Sequence, residues 1–368
     1  MADAIDTTPA PVVHLDDILE RQEILFPARK VSLPRALAYS NEADFDPVVA
    51  AGLSNGTYAT RVITAPPVLI GRLPSGTVLR DRQFLLSIGN SAVGQSYSAD
   101  PTPAKRHAPQ LLADAVADNR PIADLGAECL LLARRGHNTW GHWGADTLAM
   151  AASVEAQHRG RFRYAIPQAG DLNFFTAMIQ SLAFYGIGLN RLIFLPPHQD
   201  YRLRQAWVVT PIWRDSSPHP DALTALRAVP VANKIRPTKI AIMRRDHPHR
   251  NIANADKIAA ALARHGFHVA DLAGMPFAEQ VSLFHHARIV FSVLGSGLTG
   301  LVHSPDGVSV VAASPSGWTD RYFYALAQHR SGGWADVKGR SMWNASGLLR
   351  DAPFEVPVVA LEAALATS

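Results

Sequence analysis

His142-Trp143-Gly144-Ala145-Asp146 sets an imidazole and a carboxylate four residues apart, the spacing that a helix brings onto one face. Such a pair suits acid–base chemistry. The carboxylate can orient the ring or act as the base itself, and a neutral imidazole accepts a hydroxyl proton near pH 7. A helix is predicted from Asp146 to His158. His142 therefore sits at its N-terminal end, where the helix dipole favours the uncharged ring. Trp140 and Trp143 flank the histidine, and aromatic faces of this kind suit stacking on a sugar. The plainer alternative is a structural histidine that hydrogen-bonds the start of the helix.

A second group lies far along the chain. Gly295-Ser296-Gly297-Leu298-Thr299-Gly300 follows an apolar β-branched run, Arg288 to Leu294, and precedes a second apolar run, Val308 to Ala312. Strand, glycine-rich turn, helix and strand form a βαβ unit, whose turn offers backbone N–H groups at the carboxyl edge of a sheet. Anions bind there in open α/β folds. The six residues also match G-x-G-x-x-G, so an NAD-dependent oxidoreductase is one alternative. A NAD site needs an acidic residue near the end of the following strand. That strand ends in Val311-Ala312-Ala313-Ser314, without a carboxylate. A tight turn with glycine at positive φ is the non-functional alternative.

Arginine far exceeds lysine and is scattered, with one concentration at Arg244, Arg245 and Arg250. Arg244 directly follows the predicted strand Lys239 to Met243, which puts it at a strand's carboxyl end. A local guanidinium cluster fits a discrete anion site and not a long polyanion track, so no nucleic-acid partner is expected. A solvated basic loop is the alternative. His247 and His249 stand two apart beside Asp246, but no further ligand cluster accompanies them, and no metal site is expected.

Positioning these groups requires an α/β framework. Strands and helices alternate from Glu128 onward: strand 128–133, helix 146–158, strand 163–166, helix 174–184 and strand 192–195. The alternation resumes with strand 239–243, helix 254–265, strand 267–270, helix 277–287 and the βαβ unit. Before these, residues 15–24 read as a helix and residues 58–88 as short strands broken by Pro and Gly. The pattern predicts two Rossmann-like lobes with a cleft between them. The first lobe is 1–211, the linker 212–237 with one helix in it, and the second lobe 238–345. The tail, 346–368, is expected to pack back on the first lobe.

At 368 residues the chain is long enough for two domains, since single cores rarely exceed ~250–300 residues. The net charge of +4 is too small to define a basic partner surface. One cysteine, Cys129, excludes an internal disulfide and suits a reducing compartment. The N-terminal segment is acidic and proline-containing, unlike a signal peptide, and no run reaches the roughly 18 apolar residues of a membrane span. The expected location is the cytoplasm, with peripheral association at the inner face of a membrane compatible with it.

The stretch from Asn138 to Ile187 resembles the family 61 glycosyltransferases in its asparagine followed closely by His142-Trp143-x-x-Asp146 at a helix start. The later half is similar to the same family through Arg244, Arg250-Asn251-Ile252-Ala253-Asn254, Gly266-Phe267, Glu279-Gln280, Gly295-Ser296-Gly297-Leu298-Thr299 and Pro305-Asp306-Gly307. The ordered set spans roughly residues 125–340. The chain departs from the family pattern at Ala255, Leu294 and Gly300.

The resemblance implies a GT-B fold and an inverting, metal-independent transfer from a nucleotide sugar, commonly UDP-linked, to a glycan or lipid-linked glycan acceptor. It also points to bacterial capsule or exopolysaccharide synthesis. No cofactor beyond the nucleotide-sugar co-substrate is implied. In that reading His142 and Asp146 are catalytic, while Asn138, Trp140 and Trp143 touch the acceptor. Arg244, Arg250, Gly295, Ser296, Gly297, Leu298 and Thr299 hold the donor diphosphate, which needs guanidinium groups and helix N-termini if no metal assists. Asn254 is either a helix N-cap or an anchor of the ligand loop, and Glu279 either binds donor hydroxyls or merely decorates its helix. The three departures keep a non-catalytic nucleotide- or sugar-binding protein as a further alternative.

Overall fold

The computed structural model describes residues 10–41, 58–97, 100–214, 217–231, 236–243, 249–342 and 351–368. The fold is mixed α/β. The chain forms two compact units, Met1–Arg29 with Ala65–Asp215 and Lys30–Thr64 with Ser216–Ser368.

In the first unit one six-stranded sheet runs Leu192–Leu195, Arg163–Pro167, Cys129–Leu131, Ala206–Val209, Val68–Arg72 and Glu20–Phe26. The first four strands are parallel, and the last two are added antiparallel. Counted along the chain, the parallel strands lie in the order third, second, first, fourth. The direction of strand succession thus reverses between Cys129–Leu131 and Ala206–Val209. A second six-stranded sheet, which includes Thr77–Arg80 and Leu85–Ile88, shares an apolar core with the first. Cys129 is fully buried in that core, and burial pushes its thiol up to about 12, so it is an inert packing residue. Cys129-Leu130-Leu131 is apolar on both faces because parallel strands are covered on both sides.

The second unit is built on a seven-stranded sheet in which five parallel strands lie in the spatial order His268–Ala270, Lys239–Ile242, Ile289–Val293, Ser309–Pro315 and Trp334–Ser341, and Leu37–Ser40 also pairs parallel with the last of them. In chain order this is second, first, third, fourth, fifth, so succession reverses between Lys239–Ile242 and Ile289–Val293. One face of the sheet packs Phe291, Val311 and Val337 against Ile258 and Leu262 of helix Ala255–Arg264 and Leu361 and Leu365 of helix Val358–Ala366.

Two expectations are corrected. Residues 15–24 are not one helix: Leu15–Ile18 forms a single turn and Glu20–Phe26 is a strand, because the latter pairs with Val68–Arg72. The described tail residues, 351–368, belong to the second unit. Phe354, Val356, Leu361 and Leu365 are buried in the second unit's core, and Phe354–Glu355 pairs with Trp334–Ser341. The one helix expected in the 212–237 stretch is Pro220–Arg227, whose Leu223 and Leu226 are buried.

The strand Trp334–Ser341 was not anticipated because its sequence, WADVKGRS, carries charges. Asp336 and Lys338 are both buried and form an ion pair, with Lys338 Nζ 3.2 Å from Asp336 Oδ1. Lys338 also donates to Ser314 Oγ at 2.8 Å and to the Trp318 carbonyl at 2.6 Å, and the Tyr58 hydroxyl donates to Asp336. Burial lowers the Lys338 pKa from its ordinary value, with Asp336 opposing the shift.

Candidate active site

The first unit contains a cavity of about 880 Å³ whose lining includes Arg134, Arg135, Gly136, His137, Asn138, Thr139, His142, Asp146, Gln168, Pro197 and Pro211. These residues follow the carboxyl ends of the four parallel strands. Arg134 to Thr139 follow Cys129–Leu131, Gln168 follows Arg163–Pro167, Pro197 follows Leu192–Leu195, and Pro211 follows Ala206–Val209. The cavity therefore opens at the point where strand order reverses, which is where open α/β sheets place ligands. The second sheet's side of the cavity is lined by Asp81, Gln83, Phe84, Gln95 and Ser96.

His142 and Asp146 meet in this cavity. His142 Nδ1 lies 2.9 Å from Asp146 Oδ2. An ionised carboxylate only accepts, so Nδ1 donates, and Nε2 is the basic nitrogen of the neutral ring. His142 is 50% exposed and Asp146 17%, which leaves the ring accessible and its orienting partner sheltered. The helical run begins at Trp140–His142, passes through a wider turn of five-residue spacing at Trp143–Thr147 and continues as Leu148–Gln157. Such wider turns recur at functional sites. Gly136 completes the seat. Its φ is +82°, and a Cβ there would lie 2.8 Å from His142 Cδ2, so only glycine lets the backbone approach the ring.

Asn138 is exposed and lines the same cavity. The two tryptophans do not. Trp143 is fully buried, and its indole N–H donates to Ser181 Oγ at 2.9 Å, so it packs under the helix and is not a sugar platform. Trp140 stands edge-on to Phe174, with ring centroids 6.2 Å apart, and lies outside the cavity lining. Sequence reasoning missed Arg134, Arg135 and His137. The signal was the strand end at Leu131: polar residues directly after a central parallel strand fall at the ligand edge. His137 packs edge-on against Phe84 at 4.4 Å, and burial lowers it to about 4, so it is neutral at pH 7.

In the second unit the glycine-rich turn lies at the other reversal of strand order. It directly follows Ile289–Val293, and a Cβ on Gly297 would come 3.1 Å from Ile242 Cγ2 on the adjoining strand. Gly295 has φ +146°, outside the range open to other residues. Ser296–His303 is a 3-10 helix. Leu298 and Thr299 are buried, so their side chains are packing groups. The Thr299 hydroxyl has no hydrogen-bond partner among the described residues. Gly300 is required by packing, because a Cβ there would fall 2.1 Å from the Phe284 ring.

Arg250 stands in the left-handed region at φ +58°, its guanidinium 4.6 Å from the Trp318 ring centroid. Its backbone N–H donates to the Asp351 carbonyl. Arg244 and Arg245 lie outside the described residues. Asn254 is a strut and not a ligand: Nδ2 donates to the Val356 carbonyl at 2.8 Å and Oδ1 accepts from the Val356 N–H at 3.0 Å. Nor does its side chain cap the helix Ala255–Arg264. Glu279 is exposed in the first turn of helix Phe277–His286.

The sequence profile of the family described as Glycosyltransferase 61 matches residues 140–311. The matched stretch opens two residues before His142 and closes in the strand after the glycine-rich turn, so it includes the His142–Asp146 pair and Gly295–Thr299. On that match the protein is a glycosyltransferase, an enzyme that in general takes a sugar from a nucleotide-linked donor and places it on a glycan acceptor. Among solved structures the chain is similar to the bacterial iron-containing dodecameric glycosyltransferase TibC from enterotoxigenic E. coli. Identity is 9% over 70% of this chain and 79% of that one, and the TM-score of 0.27 is too low to carry an argument. A search of curated proteins finds no match. Among the described residues no helix is long and apolar enough to cross a membrane.

Proposed function

We propose that the protein is an inverting glycosyltransferase of the GT-B type, in which the second unit binds a UDP-linked sugar and the first supplies the base and the acceptor surface. His142 Nε2 takes the proton of the acceptor hydroxyl, the freed oxygen attacks the anomeric carbon, and the nucleoside diphosphate leaves from the opposite face. Asp146 holds the ring through Nδ1 and stabilises the imidazolium that forms. The leaving diphosphate is met by backbone N–H groups of the Gly295–Gly297 turn and by Arg250, with Arg244 as a further guanidinium.

The observation that carries this reading is the 2.9 Å His142–Asp146 pair at the edge of a ligand-sized cavity, at a reversal of strand order. Transfer without a metal, and a role in bacterial capsule or exopolysaccharide assembly, belong to the same proposal. The oxidoreductase alternative is disfavoured because the strand after the turn, Ser309–Pro315, ends without a carboxylate for ribose hydroxyls. His142→Ala is expected to lower transfer by ~10²–10⁴-fold, the usual contribution of a positioned base, while UDP affinity stays unchanged. Transfer at the native rate in that variant would remove His142 from the reaction.

A further inference from the structure

The turn that carries Asp146 is wider than an ordinary helix turn and is held from outside the helix. The Leu148 N–H donates to the Trp143 carbonyl, five residues earlier, where a regular ladder would reach back four. Turns of this kind are rare, so one that persists is favoured by partners elsewhere in the fold. Two indoles supply them. Trp143, fully buried, donates to Ser181 Oγ at 2.9 Å and ties the turn to helix Leu172–Phe184. Trp213, on the segment after strand Ala206–Val209, is buried and donates through Nε1 to the Ala145 carbonyl at 3.2 Å. It stands 68 residues along the chain from Ala145 and reaches the turn because Ala206–Val209 lies beside Cys129–Leu131 in the sheet. Trp213 also lines the cavity with His142 and Asp146.

The Ala145 carbonyl is where this bond meets the chemistry. It shares a planar peptide unit with the Asp146 nitrogen, so holding it fixes the backbone from which the Asp146 side chain projects. Little else fixes that side chain. Asp146 Oδ2 meets His142 Nδ1 at 2.9 Å, while Oδ1 is buried and has no hydrogen-bond partner among the described residues. The carboxylate is therefore placed by its backbone. The tautomer of the ring is in turn set by the carboxylate, because an acceptor on Nδ1 leaves Nε2 as the basic nitrogen. Gly136 faces the ring at Cδ2 and Cγ, so it seats the imidazole without choosing its tautomer.

We propose that Trp213 is a positioning residue for proton transfer. Its indole N–H holds the Ala145 carbonyl, and so keeps the wide turn in the form that sets Asp146 Oδ2 on His142 Nδ1. The inference rests on the reading of His142 and Asp146 as the acid–base pair.

The test reads the tautomer of His142 with no ligand present. The full chain, labelled with ¹⁵N-histidine, is followed by long-range proton–nitrogen NMR at about pH 8.5, well above the ordinary histidine pKa of about 6.5. The His142 signals are those missing from His142→Ala. The native ring is expected to carry its proton on Nδ1. An imidazole without a partner prefers the proton on Nε2. Trp213→Phe removes the N–H and keeps an aromatic ring, and should lower the ratio of Nδ1–H to Nε2–H by about 10-fold, the worth of one hydrogen bond. Asp146→Ala should switch the ratio in the same direction. Trp207→Phe deletes the bond of another buried indole in the same unit, from Nε1 to Glu128 Oε1 at 3.0 Å, and should leave the ratio alone. Where Trp213→Phe does not fold, replacing Trp213 by benzothienylalanine keeps the bicyclic shape, lacks only the donor and gives the same readout. A native ratio in the Trp213 variant beside a switched one in Asp146→Ala would overturn the inference and leave the acid–base pair standing. An equal switch in Trp207→Phe would also overturn it, since general loosening would then be the cause. A native ratio in Asp146→Ala would instead strike the pair itself, and this inference with it.

Discussion

The two reversals of strand order are built from opposite materials. In the first unit the ligand edge carries charged and titratable side chains: His142 clamped by Asp146, with Arg134 and Arg135 on the same cavity. In the second unit the corresponding edge is mostly backbone, with Gly295 at φ +146°, Gly297 against Ile242, and neighbouring Leu298 and Thr299 turned into the core. The difference follows the chemistry each would do. Proton transfer needs a specific titratable atom held in one orientation, whereas an oxyanion is met well by several N–H groups that cost nothing to reorganise. Side-chain substitutions should therefore damage the first site, and added bulk the second.

The largest effect after loss of the imidazole is expected from Gly136→Ala. It imposes an unfavourable φ, worth ~1–2 kcal/mol, and a Cβ against the His142 ring. Transfer should fall by about 10–100-fold as the imidazole is displaced, with UDP affinity retained. An unchanged kcat would show that the ring is not held where Gly136 leaves it. Gly300→Ala places its Cβ 2.1 Å from Phe284, and overpacking of this kind costs about 1–3 kcal/mol, read as a lower Tm with weaker UDP binding. Asn254→Ala removes both bonds to Val356 and should cost about 1–2 kcal/mol of stability while leaving donor KM alone. A raised KM with unaltered Tm would restore Asn254 as a ligand.

The smallest effect is in pH. Burial depresses His137 to about 4, His329 to about 4 and His303 to about 3. Below the ordinary histidine pKa of about 6.5 the unfolded chain takes up protons that the folded chain refuses. Stability from these groups is thus present above about pH 6.5 and is lost as pH falls toward about 4. His303→Gln and His329→Gln should each flatten the decline of Tm over that interval, and identical slopes would show that other groups control it.

Much of the framework was legible in the sequence because its strands are apolar runs between turn residues. Leu192–Leu195 and the alternation around it follow from that pattern alone. His142 and Asp146 were legible for a simple reason: four-residue spacing on a helix is local and survives any tertiary context. Trp143, Leu298 and Asn254 were misread because burial and long-range partners decide their roles. Ser181 captures one indole, the core takes Leu298, and Val356, 102 residues away, holds Asn254. The strand Trp334–Ser341 was hidden because Asp336 and Lys338 read as a loop until Tyr58, Ser314 and the Trp318 carbonyl are supplied from elsewhere in the chain.

Chemical rescue tests the central claim most directly. His142→Gly removes the ring and leaves its space beside Gly136, and transfer measured against added imidazole then reports on the missing base alone. The account predicts a rate near background without imidazole and a saturable recovery with it. Transfer at the native rate in His142→Gly with no imidazole present would contradict it.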